Sequence, residues 1–206
     1  MKTICASLAS TILILLLWAK AFGQEQISAP AYLNGDLWQF SVKEANFTGS
    51  TTRALDGVYE AFYRGGKFRF SKLGAGEVEE SESTEGSSVS ILRAMFGQGT
   101  YYGGQHLKFP LFVSQKWDFE YSITARGARN KSTQHAYVQI AGIEEVTTAA
   151  GTFRTLKVLR ENTSKSGGSI FVFNYCPDTK SVVKASFDFN QGGKREIELI
   201  KFGREK

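Results

Sequence analysis

The chain has 206 residues, of which 42% are hydrophobic and 22% charged, and its formal net charge is +5 at pH 7. This balance is only mildly basic, and the lysines and arginines are scattered among aromatic and acidic residues. Because a nucleic-acid-binding protein gathers its basic residues on one face or in a run, the composition argues against a nucleic-acid partner.

Residues 1–23 have the pattern of a signal peptide. Lys2 precedes an apolar run over residues 12–19, and Ala21-Phe22-Gly23 offers a cleavage site before Gln24, with cleavage after Ala21 as the alternative. The run is shorter than the about 20 apolar residues that a transmembrane helix needs. We therefore predict an exported protein, periplasmic or, alternatively, secreted.

Removal of this leader leaves residues 24–206, which we predict to form a single antiparallel β domain. The leader contains two lysines and no acidic residue, so the mature chain carries a net charge of +3. No later stretch is comparably hydrophobic, which predicts no transmembrane span after cleavage. Cys5 is lost with the leader and Cys176 is left alone, so no intramolecular disulfide can form. About 180 residues can still bury a core as one domain.

The first part of the mature chain predicts a strand and a β-hairpin. Residues 37–42 are a strand candidate, in which large apolar and polar side chains alternate from Trp38 onward. Residues 60–64 and 67–70 flank Gly65-Gly66. Glycine tolerates the positive φ angles of a two-residue hairpin turn, so these two segments are predicted to pair.

The acidic segment of residues 77–88 interrupts this pattern. It contains five glutamates interleaved with serines, and it lacks the Asp/Asn spacing and central glycine of a calcium loop. We interpret it as a solvated loop. Residues 89–96, which follow, fit either a strand or a short helix, and their periodicity does not decide between the two.

The clearest strand is formed by residues 117–124. Large apolar residues alternate there with polar ones, the apolar set being Trp117, Phe119, Tyr121 and Ile123. A helix would distribute these side chains around its axis, whereas a pleated strand places all four on one face. A half-buried strand is predicted.

The rest of the chain repeats the strand pattern at intervals of about ten residues. The strand candidates are residues 137–143, 152–160, 171–175, 182–187 and 195–200, with turns at residues 147–151, 176–180 and Gly192-Gly193. The last three strands are predicted to form a meander. The sequence therefore predicts an all-β fold: an antiparallel curved sheet, a partial or complete β-barrel or a sandwich, with room for one or two short helices.

Residues that could carry catalysis or bind a metal are sparse. His106 and His135 lie in different segments without a Cys or His at ligand spacing, so we predict no metal site or cofactor and interpret both as surface or polar strand residues. No histidine adjoins Cys176, which we interpret as a small residue at a strand end beside a turn. Asp118 and Glu120 share the strand face opposite the aromatics and are predicted to point to solvent. No catalytic residue is predicted.

Four short motifs occur in order along most of the mature chain. They are Asn34-Gly35-Asp36-Leu37-Trp38, the Phe109-Pro110-Leu111-Phe112-Val113 motif before Trp117, Ala150-Gly151-Thr152-Phe153, and the Tyr175-Cys176-Pro177-Asp178-Thr179-Lys180 motif. This order resembles a family of uncharacterised exported bacterial β proteins, the DUF-type periplasmic proteins related to TapB-like sequences. The resemblance implies a Gram-negative periplasmic setting and a curved sheet similar to the lipoprotein-carrier superfamily. It implies no catalytic residue and no substrate.

Three hypotheses about function follow. The aromatic alternation favours a non-enzymatic protein that holds a lipid-like or apolar ligand in the concave face of the sheet. Its candidate lining residues, whose rival role is plain core, are Trp38, Trp117, Phe119 and Tyr121. The alternative is a structural or partner-binding cell-envelope protein that uses a sheet edge or residues 77–88 to contact an envelope protein. A hydrolase that uses Cys176 or scattered carboxylates is third.

Overall fold

The computed structural model describes residues 25–45, 56–75, 78–82, 99–102, 106–125, 132–164, 167–188 and 193–205. The predicted leader and residues 89–96 lie outside these ranges. All regular structure within them is β. The strands are β1 (Asp36–Ala45), β2 (Gly57–Arg64), β3 (Lys67–Lys72), β4 (Val78–Glu82), β5 (Gly99–Tyr102), β6 (Lys116–Ala125), β7 (Ser132–Thr148), β8 (Gly151–Ser164), β9 (Gly167–Cys176), β10 (Ser181–Asp188) and β11 (Lys194–Arg204).

The eleven strands form one antiparallel sheet in the order β4-β3-β2-β1-β11-β10-β9-β8-β7-β6-β5. The predicted all-β fold with a single antiparallel sheet is confirmed. A second sheet is not formed by the described strands, and β4 and β5 lie at opposite ends of the order, so these strands do not close into a barrel. The predicted short helices do not occur in the described ranges, where no helix is long and apolar enough to cross a membrane.

Strands that are neighbours in this sheet are also consecutive in the chain, except where the first strand pairs with the last. β1 pairs with β11 near the middle of the sheet. Asp36 is the register partner of Arg204, and Glu44 is the register partner of Arg195, so an ion pair crosses this pairing near each of its ends. We call the β1–β11 pairing the seam.

Gly35 lets the chain enter the seam. Its φ of 93° lies in the left-handed region, and its carbonyl accepts a hydrogen bond of 2.8 Å from the Glu205 amide. A Cβ at this position would lie 2.7 Å from the Glu205 carbonyl oxygen. Only glycine meets both requirements without strain.

The prediction of a solvated loop over residues 77–88 is wrong for Val78–Glu82. These residues form β4, in register with β3 from Lys67↔Glu82 to Ser71↔Val78. The backbone hydrogen bonds offered by β3 outweigh the low strand propensity of glutamate. Charged residues are also tolerated on an outer strand. Residues 83–88 lie outside the described ranges.

The β2–β3 turn is as predicted, two turns are shorter than predicted, and Gly192 of the predicted Gly192-Gly193 turn lies outside the described ranges. Gly65 and Gly66 have φ angles of 61° and 81°, as the β2–β3 hairpin requires, and residues 177–180 form the turn between β9 and β10. The turn predicted over residues 147–151 is shorter, because only Ala149 and Ala150 lie between β7 and β8. The flanking residues continue the register to the pair Thr148↔Gly151.

The sheet is strongly curved around β7 to β11. Strands three positions apart in a flat sheet lie about 14 Å from each other, yet Cα atoms of β7 come within 8 Å of Cα atoms in β10 and β11. Ala141 is an extra residue in β7 where the register with β8 shifts, and such a bulge bends a strand. The Ala149 amide, at the end of the hairpin, donates a hydrogen bond of 2.8 Å to Glu198 in β11.

The inner face of the curved sheet carries the hydrophobic core. It receives alternate residues of the strands, for example Trp38, Phe40 and Val42 from β1 and Leu156 and Val158 from β8, all at most 2% exposed. Two segments outside the strands cover this face. Residues 25–35 place Ile27 and Tyr32 against the core, and residues 106–115 contribute the buried Leu107 and Leu111.

Asp36→Asn is expected to destabilise the protein by about 2 kcal/mol at neutral pH, because Asp36 is buried and accepts charge-assisted hydrogen bonds from Lys180 and Arg204. Burial alone would raise the pKa of Asp36, but hydrogen bonds from the Leu33 amide, Lys180 and Arg204 lower it overall. The stabilisation is therefore fully present above the unfolded pKa of about 3.9 and is lost as the pH falls through the folded pKa.

Urea unfolding between pH 7 and pH 2 measures this effect. The gap in the free energy of unfolding between wild type and Asp36→Asn should narrow in acid. Asp188→Asn, at an exposed position on β10, serves as the control and should show little change. If the difference in the free energy of unfolding between wild type and Asp36→Asn stays constant from pH 7 to pH 2, the stabilising role of the Asp36 carboxylate is contradicted.

Candidate functional site

A groove of about 490 Å³ lies between residues 25–31 and one end of strands β7 to β10. It is partly open to solvent. Its described lining consists of Glu25, Gln26, Ile27, Ser28, Ala29, Pro30, Ala31, Ile143, Arg154, Thr155, Leu156, Pro177, Asp178 and Lys180. The volume is within the about 300–1,000 Å³ of small-molecule sites.

The floor of the groove is apolar and comes from the β7–β8 hairpin. Ile143 and Leu156 are register partners, so their side chains share one face of the sheet. Leu156 is buried in the core, whereas Ile143 is 41% exposed although it is a large aliphatic residue. Ile143 therefore offers apolar surface at the groove.

Residues 25–31 form a wall that is attached to the domain at two points. Ile27 and Leu111 exchange two backbone hydrogen bonds of 2.8 Å, which join the wall to the segment covering the core. Glu25, two residues before Ile27, forms an ion pair with Arg154 of β8. The groove is therefore built from three parts of the chain that are distant in sequence.

The charges at the groove belong to two ion pairs and one further carboxylate. The two terminal nitrogens of Arg154 donate hydrogen bonds of 3.0 and 2.7 Å to the two carboxylate oxygens of Glu25. The hydrogen bonds from Arg154 lower the pKa of Glu25, and those to Glu25 raise the pKa of Arg154. Lys180 donates a hydrogen bond of 2.9 Å to the Asp36 carboxylate. The further carboxylate is that of Asp178, whose charge also raises the pKa of Arg154.

A separate buried cluster surrounds Arg160 on the inner face. The guanidinium lies 5.5, 4.8 and 5.3 Å from the ring centroids of Phe119, Tyr121 and Phe171, and the residue is 2% exposed. The Nε of Arg160 donates a hydrogen bond of 2.8 Å to the side-chain oxygen of Asn162, and one of its terminal nitrogens donates a hydrogen bond to Nδ1 of His106. Because guanidinium only donates, Nδ1 of His106 must be an acceptor.

This cluster is a packed polar interior. Three aromatic faces and two hydrogen-bond acceptors offset the cost of burying the arginine charge. Burial raises the pKa of the Tyr121 hydroxyl, and the nearby Arg160 charge offsets part of that rise. The cluster holds β6, β8, β9 and the segment of residues 106–115 together on one face.

The four predicted lining residues lie on the inner face but in different places. Trp38 is 1% exposed and donates a 2.7 Å hydrogen bond from Nε1 to the Thr179 carbonyl. Trp117 is buried in the core, and Phe119 and Tyr121 surround Arg160. None of the four is among the described residues that line the groove. Their role in ligand binding stays a prediction.

The histidines and the cysteine are placed differently from one another. The interpretation of His106 as a surface or strand residue is wrong: it is 4% exposed, precedes β6 and packs 5.2 Å from the Phe119 ring. His135 lies on the outer face of β7, 3.2 Å from an Asp118 oxygen. Cys176 ends β9 and is fully buried beside the turn. Within the ranges that the structure describes, no three His, Cys, Asp or Glu residues group as metal ligands would.

No protein-family model matches the sequence, and no curated protein matches it. Three solved structures do match. An exported protein of Bacteroides fragilis described as having a YmcC-like fold is 13% identical, with a TM-score of 0.50 over 87% of this chain and 100% of its own. A lipoprotein of Parabacteroides distasonis is 12% identical with the same TM-score and coverage. The lipoprotein YmcC of Escherichia coli is 11% identical, with a TM-score of 0.47 over 91% of this chain and 96% of its own.

The first two matches show the fold of this chain, which the description of the Bacteroides fragilis protein calls YmcC-like. They span the whole of the two solved chains and most of this one, so the likeness covers the sheet as a unit. At such low identity it carries the fold and no residue role. The neighbours are exported proteins or lipoproteins by description, which agrees with the broad resemblance to exported β-rich bacterial proteins.

Arg160→Lys is expected to lower the free energy of unfolding by about 2 kcal/mol or more, because lysine keeps the charge but loses the planar group that contacts three rings and two acceptors. Urea unfolding followed by tryptophan fluorescence measures the change. Arg154→Lys, the same substitution at an exposed ion pair, is the matched control and should leave the midpoint nearly unchanged. Equal midpoints for both variants would show that the Arg160 cluster does not stabilise the fold.

Proposed function

We propose that this protein is an exported, non-catalytic binding protein that holds an apolar or amphipathic small molecule, lipid-like in character, at the inner side of its curved sheet. The observation that carries the proposal is the groove of about 490 Å³, which is lined by apolar residues such as Ile143 and Leu156 together with a few charged residues. Apolar walls with a few polar groups are typical of small-molecule sites.

Two further observations support the proposal. Ile143 lines the groove and is 41% exposed in total, and burial of such a side chain by a ligand is favourable. The proteins of similar fold are described as an exported protein and a lipoprotein, which supports export to the cell envelope. A periplasmic location is part of the proposal, with secretion as the alternative.

The proposal puts the ligand beside the aromatic core rather than within it. Trp38, Phe40 and Phe68 are each at most 1% exposed and pack against neighbouring side chains, so a ligand among them would have to displace well-packed atoms. The groove demands no such displacement. Its floor is reached between residues 25–31 and the β7–β8 hairpin.

Ile143→Ser is expected to weaken binding of the neutral apolar probe N-phenyl-1-naphthylamine about tenfold, because it removes the exposed apolar surface of the floor. Probe fluorescence titrations measure the dissociation constant. Ile170→Ser is the matched control, since Ile170 is 53% exposed on the outer face of β9. Equal losses in both variants, or no saturable binding by wild type, would contradict the proposal.

The natural ligand can be sought directly. Mature protein purified gently from its own envelope is measured by native mass spectrometry and then extracted with organic solvent. We expect a bound molecule of defined mass in wild type and its depletion in Ile143→Ser. Protein that is empty in every preparation and does not bind the probe would overturn the ligand-binding function.

A partner-binding envelope protein is the second candidate, favoured by the position of β4. Val78–Glu82 is the last strand of the described sheet on its side, and an outer strand can accept another extended chain by backbone hydrogen bonding. We expect a stoichiometric partner that slows amide hydrogen exchange in β4 on binding. A protein that stays monomeric without a crosslinked partner in its envelope would count against this function.

A further inference from the structure

We propose that the groove selects single-chain amphiphiles with an anionic head group, and that Arg154 binds this head group in place of Glu25. The inference rests on the proposed ligand-binding function and adds the chemical class of the ligand. Three features of the molecule support it: the geometry of the Arg154–Glu25 pair, the exposure of both partners and the engagement of Lys180 by Asp36.

The Arg154–Glu25 pair has the geometry of a head-group complex. Two terminal nitrogens of the guanidinium contact two oxygens of one carboxylate at 3.0 and 2.7 Å. Guanidinium binds carboxylate and phosphate oxygens in this forked manner, so a fatty acid or a phosphate ester would find the same donors. Glu25 thus marks where an external anion can bind.

The pair is also open to exchange. The side chains of Arg154 and Glu25 are 63% and 51% exposed, and exposed ion pairs are held weakly because water competes for both partners. Glu25 lies at the outer end of the wall, beyond the Ile27–Leu111 hydrogen bonds that anchor it. Glu25 can therefore leave Arg154 while residues 27–31 stay in place.

Arg154 is the more available of the two basic residues that line the groove, although the carboxylate of Asp178 also acts on it. Lys180 is the other basic residue in the described lining, and it is 26% exposed and engaged by the buried Asp36. Releasing Lys180 would leave Asp36 in a protein interior with less compensation, which is costly. Releasing Arg154 from an exposed carboxylate carries no such penalty.

The apolar part of the ligand fits the rest of the lining. Arg154 and Leu156 belong to the same strand, and Ile143 is the register partner of Leu156, so a head group at Arg154 has the apolar floor next to it. A volume of about 490 Å³ is that of one small-molecule site rather than of a large surface. A single hydrocarbon chain with one anionic end matches this arrangement.

The test compares dodecanoate, dodecyl phosphate and dodecanol, which share one chain and differ in the head group. Each displaces N-phenyl-1-naphthylamine from wild type, Arg154→Gln, Glu25→Gln and Lys157→Gln. Lys157 is the matched control because it lies on the same strand, pairs with Glu144 and does not line the groove. Urea unfolding of each variant confirms that it is folded.

Arg154→Gln should weaken binding of the anionic amphiphiles at least tenfold and leave dodecanol unchanged. Glu25→Gln should strengthen binding of the anions severalfold, because it removes the competing carboxylate. Lys157→Gln should match wild type. Whichever of dodecanoate and dodecyl phosphate binds more tightly identifies a carboxylate or a phosphate as the natural head group.

Two kinds of failure are distinguishable. If all three amphiphiles bind with affinities that do not depend on Arg154 or Glu25, the head-group assignment is overturned and the ligand-binding function stands. If none of the three binds and the probe does not bind either, the proposed function itself is overturned, and the assignment with it.

Discussion

The seam between β1 and β11 is the constraint on which the rest of the molecule depends. All other neighbouring strands in the described sheet are also neighbours in sequence, so each of those pairings needs only a local connection. The seam alone joins the two ends of the chain. An ion pair crosses it near each end, and the Glu44–Arg195 pair is buried, with side chains 8% and 2% exposed. A shift of one residue in this pairing would separate two buried side chains of opposite charge, so the Glu44–Arg195 pair favours the observed register of the seam.

The groove is formed by the segment that leads the chain into this seam. Residues 25–35 must cross the inner face before Gly35 turns them into β1, and in crossing they become the wall of the groove. Lys180 bonds to Asp36 at the first position of β1, which places the β9–β10 turn against the same wall. The other side is the β7–β8 hairpin, bent toward β11 by the bulge at Ala141. The groove and the seam are thus held by shared residues.

Local patterns in the sequence predict most of the strands, but they do not predict contacts between distant segments. The alternation over residues 117–124 and the Gly65-Gly66 pair are sufficient for β6 and for the β2–β3 hairpin, because each reflects the environment of its own strand. The sequence does not predict β4, because this strand depends on its pairing with β3. The burial of His106 depends on Arg160, 54 residues away. A signal for Arg160 does exist: it continues the buried alternation of Leu156 and Val158. No pattern in the sequence predicts the Glu25–Arg154 contact, whose partners are 129 residues apart.

The position of the seam has a consequence for how the chain is made. Asp36 and Arg204 are 168 residues apart, so β1 emerges long before the strand with which it pairs. Until β11 is synthesised, the apolar side chains of β1 and β3 lack the rest of the core against which they pack. Forming a contact that closes so long a loop is also slow. Hairpins such as β7–β8 can form during synthesis because their partners arrive in succession. The completed sheet must wait for its last strand, so the half-made chain is the species most exposed to aggregation and most in need of a chaperone.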